Sequence, residues 1–99
     1  MTPEELAEKV SWAVDQLTQS GALPAVSNLE IKIERPKNPE FGDYASNVAL
    51  LLAGKTNQNP RVVAELVISQ LQAVSQIESM SVAGPGFINF KVAKEPKQN

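Results

Sequence analysis

The sequence contains no cysteine and no histidine. The first absence excludes a disulfide framework and thiol chemistry, and the two together remove the usual ligands for zinc and haem. Without histidine the commonest general acid or base at neutral pH is also missing. No apolar run approaches the roughly 20 residues that a membrane helix requires. The N-terminus carries Glu4 and Glu5 where a secretory signal would carry lysines. These absences point to a cytoplasmic, soluble protein without metal or membrane business. Aromatic residues are few, with one tryptophan, one tyrosine and three phenylalanines, so a ring on a surface invites explanation. No internal repeat and no low-complexity segment interrupts the chain.

What is present suits one small domain: 99 residues, 42% hydrophobic and 20% charged. Such a chain buries roughly 60 to 70% of its unfolded surface and folds with a margin of about 5 to 15 kcal/mol. The net charge of −2 is unevenly spread. Residues 1–30 hold Glu4, Glu5, Glu8, Asp15 and Glu30 against Lys9 alone, whereas Lys32, Arg35 and Lys37 cluster near Glu34, and Lys91, Lys94 and Lys97 surround Glu95. Two basic clusters that meet in space would give an acidic protein a local positive surface.

Thr2-Pro3-Glu4-Glu5 has the form of a helix start, with Thr2 as N-cap and carboxylates at the positive end of the helix dipole. Leu6, Val10, Ala13, Val14 and Leu17 recur at helical spacing, Gly21 and Pro24 end the run, and Trp12 falls at the edge of the stripe. Leu29, Ile31 and Ile33 alternate with Glu30, Lys32 and Glu34, which predicts a strand that Pro36 terminates. The segment 36–44 is a stiff connection, followed by a short strand near 43–45. A helix is expected over 45–53, capped by Asp43 or Ser46 and stopped by Gly54. Asn59-Pro60-Arg61 opens another helix, with Val63, Leu66, Val67, Leu71 and Val74 on its buried face. Ile77, Met80 and Val82 outline a strand whose alternation is clean only from Met80. Gly84-Pro85-Gly86 then turns the chain into the last strand. The expected fold is α+β in the order α-β-β-α-α-β-β: two layers, with a mainly antiparallel sheet of about four strands and the helices on one face.

Parity divides the last strand. Ile88, Phe90 and Val92 share the face fit to seal a core, leaving Phe87, Asn89 and Lys91 side by side on the other. An outward Phe87 gives up roughly 1.5 to 3 kcal/mol of burial. Base stacking would explain it, since an aromatic platform contributes about 1 to 3 kcal/mol per base, an amide matches a base edge, and lysines hold phosphates. The plainer account packs Phe87 against the turn or a loop and leaves Asn89 merely solvated. Gly84-Pro85-Gly86 reads as a hairpin device and not a phosphate cradle, because no helix follows it. Glu40 and Asp43 have neither metal partner nor base beside them, so no catalytic residue and no metal site is assigned.

Three blocks narrow the choice: residues 34–50 (ERPKNPEFGDYASNVAL), residues 59–65 (NPRVVAE) and residues 82–90 (VAGPGFINF). In this order and spacing they resemble the N-terminal additional domain of bacterial-type arginyl-tRNA synthetases, from about Leu6 to Phe90. The resemblance implies a non-catalytic domain that binds the outer corner of tRNA, where the D-loop lies, and supports arginyl-tRNA formation by a separate catalytic domain in cis or trans. It implies RNA contacts from Phe87 and Asn89. Lys91, Lys32 and Arg35 are the accompanying candidates for phosphate. The family's class I enzymes carry a histidine-containing signature and a Lys-Met-Ser-Lys-type loop, and neither is found here. This chain alone is therefore expected to charge no tRNA and to hold no cofactor, ATP belonging to the parent ligase. The tRNA-binding domain is placed at 1–91 and a polar tail or linker at 92–99, in either a fragment of the ligase or a free-standing copy of its first domain. The rival reading is a protein-docking module that uses the open sheet face.

Overall fold

A computed structural model describes residues 2–24, 31–36 and 42–92. Helix α1 spans Pro3–Ser20 and starts on a complete capping box. The Thr2 hydroxyl accepts from the Glu5 backbone N–H at 3.1 Å, and the Glu5 carboxylate accepts from the Thr2 N–H at 2.9 Å. It ends at Gly21, whose left-handed φ of 87° lets its N–H reach the Leu17 and Thr18 carbonyls. Two short strands follow, β1 (Ile33–Glu34) and β2 (Tyr44–Ser46), then α2 (Val48–Thr56), α3 (Pro60–Leu71), β3 (Ile77–Ala83) and β4 (Phe87–Val92).

The element order and the α+β class are those expected, and every pairing in the four-stranded sheet is antiparallel, in the spatial order β1-β2-β4-β3. Several boundaries differ from expectation for local reasons. Leu29 and Glu30 lie outside the described residues, and Ile31 and Lys32 precede a β1 of only two residues. Helix α2 begins three residues later than predicted and passes through Gly54, because the left-handed residue that ends it is Asn57, at φ 59°. The Ser46 hydroxyl does serve α2, accepting from the Val48 N–H at 3.2 Å. Asp43 is used elsewhere. The broken alternation before Met80 reflects a register shift between Ile77 and Ser79, a β-bulge against β4.

The core lies between sheet and helices. Leu6, Val10 and Leu17 from α1, Val48 and Leu52 from α2, and Val63, Val67 and Leu71 from α3 close over Ile88 and Phe90, both 0% exposed. Two glycines bring the signature motifs into contact. A Cβ on Gly42, where φ is +125°, would lie 2.6 Å from the Phe90 carbonyl oxygen, and a Cβ on Gly86 would lie 2.7 Å from Pro60 Cβ. The turn before β4 is thus seated on the start of α3, and the segment before β2 is pressed onto the middle of β4.

Candidate nucleic-acid interface

β4 is central, paired to β2 on one side and β3 on the other, so its outward side chains stand mid-sheet. The register sets Ala45 and Ser81 on either side of Asn89, Ala83 opposite Phe87, and Ser79 opposite Lys91. Paired residues point to the same face, and these neighbours are all small, so Phe87 is not overtopped by the adjoining strands. Phe87 is 39% exposed, while Ile88 next to it in sequence and Phe90 two positions further on are sealed. Glu34, opposite Ala45, extends the Asn89 row to the sheet edge.

Backbone contacts hold this surface in register. The Asp43 N–H donates to the Phe90 carbonyl at 2.7 Å, and the Asp43 carboxylate accepts from the Val92 N–H at 3.0 Å. Asp43 therefore closes the open side of β4 just where β2 begins. That role was not legible in the sequence, where Asp43 reads as a helix cap. Because the carboxylate reaches a strand N–H across 49 positions of sequence, no local pattern reports it.

The candidate residues do not all come together. Phe87, Asn89 and Lys91 share the open face, Phe87 and Lys91 being exposed. Asn89 is a correction: instead of standing free it is only 8% exposed. This central-strand amide has Ala45 and Ser81 across the ladder and Phe87 and Lys91 on its own strand face. It makes no hydrogen bond among the described residues. Lys32 is exposed at the β1 edge. Arg35 lies elsewhere, its guanidinium carbon 5.6 Å from the Tyr44 ring centroid. Tyr44 pairs with the buried Phe90 and faces the helices, so Arg35 is on the opposite side of the sheet from Phe87. Lys37, Lys94 and Lys97 lie outside the described residues. Asn47, one residue past Ser46 (the partner of Ile88), was not singled out in the sequence: its Oδ1 is buried with no hydrogen-bond partner among the described residues. Continuing the period of two from Ala45 would have flagged it.

Comparison with known proteins follows the same geometry. Residues 4–92 match the family described as the arginyl tRNA synthetase N terminal domain. The chain belongs to this family. Among curated arginine–tRNA ligases, that of Idiomarina loihiensis is 37% identical over 92 residues, covering 93% of this chain. That of Frankia alni is 42% identical over 93 residues, covering 94%. The chain spans 16% and 17% of the length of those two relatives. In fold, this synthetase domain is similar to part of the Plasmodium falciparum arginyl-tRNA synthetase, with a TM-score of 0.74 at 22% identity over 93% of this chain and 16% of that one. It is also similar to part of the Thermus thermophilus enzyme, at 0.65 and 22% over 94% of this chain and 14% of that one. Among the described residues of the synthetase domain, no helix is long and apolar enough to cross a membrane.

Proposed function

We propose that this synthetase domain is the tRNA-binding module of an arginine–tRNA ligase, contacting the D-loop side of tRNA and presenting it to a catalytic domain that binds ATP and carries out the chemistry. The observation that carries this reading is Phe87, left 39% exposed at the start of the central strand, beside the fully buried Ile88 and opposite the small Ala83. A nucleobase turned out of its stack lies flat on the ring, and its edge passes over Ala45 and Ser81 toward the Asn89 amide. Stacking on a single ring requires a base whose face is free, which favours an unpaired loop nucleotide over a duplex. Lys91 and Lys32 supply charge for the flanking phosphates. Arg35, turned to the other face, is left out of the contact set.

Titration of tRNA with wild type and Phe87→Ala tests the reading. Loss of one stacked base weakens binding by about 1 to 3 kcal/mol, and equal affinity would remove the stacking claim. The docking alternative separates by salt: phosphate contacts make log affinity fall linearly with log salt, whereas an apolar docking face responds weakly.

A further inference from the structure

A cleft of about 530 Å³ opens on the helical layer, away from the open sheet face, between Glu8, Lys9 and Trp12 of α1 and residues 73–76 of the α3–β3 connection. Trp12, the single tryptophan, is 41% exposed there. Helical spacing puts Glu4, Glu8 and Asp15 on the same exposed arc as Trp12, while Lys9 is the one basic residue of α1. Among the described residues none of these three carboxylates makes an ion pair. Like charges one turn apart, as at Glu4 and Glu8, work against the helix unless a cation relieves them.

An indole bordered by unpaired carboxylates attracts a cation and repels phosphate. Guanidinium fits both parts: it stacks on an indole face, and its planar fork pairs with a carboxylate, where an ammonium offers only a point charge. The ammonium of Lys9 on the same wall suits the backbone carbonyls of whatever chain carries that arginine. We propose that this cleft docks an arginine-bearing segment of a partner protein, with guanidinium over Trp12 and paired to Glu8. The surface is separate from the RNA face and does not depend on it.

Because Trp12 is the only indole, its emission reports the cleft directly. Titrating the 99-residue chain with a blocked peptide of alternating arginine and alanine gives a saturable change in that emission. Affinity exceeds that for the lysine counterpart by about two- to fivefold. Glu8→Gln, an exposed substitution checked by circular dichroism, weakens binding by about two- to fivefold. Trp12→Leu, read by calorimetry, does the same. Transfer RNA leaves the emission unchanged. The proposal is overturned by an arginine peptide that gives no saturable signal, by equal affinity for the lysine peptide, by an unaffected Glu8→Gln, or by a tRNA-induced shift of Trp12.

Discussion

Gly42→Ala tests the contact that ties the Phe-Gly-Asp-Tyr block to the final strand. The new Cβ would fall 2.6 Å from the Phe90 carbonyl oxygen and 3.1 Å from its carbon, and both are backbone atoms of a strand paired on two sides, with no flexible end to yield. At φ +125° an L residue is also strained, costing about 1 to 3 kcal/mol. If the chain moves away to relieve the clash, Asp43 loses its bond to the Phe90 carbonyl, about 1 kcal/mol net, and its carboxylate bond to the Val92 N–H, about 1.5 kcal/mol for a charged acceptor at the surface. The total is about 3.5 to 5.5 kcal/mol from a domain whose whole margin is about 5 to 15 kcal/mol. In urea, with a slope of about 1.5 kcal/mol per molar, the unfolding midpoint falls by about 2 to 4 M. A midpoint lowered by less than about 0.7 M would mean a loss under about 1 kcal/mol and would refute the contact as described.

Gly54→Ala should move the other way. Gly54 lies inside α2 with nothing within 4 Å of an added Cβ, so alanine raises stability by about 0.5 to 1 kcal/mol in the same urea assay. Asn59→Ala removes the acceptor that holds the Arg61 N–H at 2.8 Å and should cost about 1 kcal/mol. Asn47→Ala, at a helix start where the side chain makes no capping bond, should change stability by no more than about 0.5 kcal/mol, because it deletes a buried acceptor with no partner among the described residues.

Those contrasts mark where the sequence was readable and where it was not. Thr2, Gly21 and Asn59 act within one turn of where they stand, so their patterns announced the helix ends; the parity of 87–92 likewise announced which side of β4 is sealed. Gly54 misled because an isolated glycine costs a helix only about 1 kcal/mol, which the burial of Leu52 and Ala53 immediately before it outweighs. The face that Arg35 occupies and the burial of Asn89 went unseen for a different reason. Their surroundings depend on β2 lying between β1 and β4, a neighbour supplied from elsewhere in the chain, and period-two reasoning gives a face but not its crowding. The family blocks were recognisable while their purpose was not: Gly42, Asp43 and Gly86 prove to be packing and register devices that set β4 in place.

Whether Asn89 takes part in recognition or only fills the sheet is decided by coupling, not by its own deletion. As a packed residue it would lose stability on truncation without reference to Phe87. As a base-edge contact it can act only while a base is held flat above it, and the ring of Phe87 is what holds it. A cycle of Phe87→Ala, Asn89→Ala and the double variant, titrated with tRNA, should therefore be non-additive by about 0.5 to 3 kcal/mol, the second truncation costing less once the first is made. Each free protein is unfolded in urea alongside, so that stability losses are measured apart from binding. Additivity within about 0.5 kcal/mol would assign the two residues to independent roles, and the burial of Asn89 would then be a feature of sheet packing and not of base recognition.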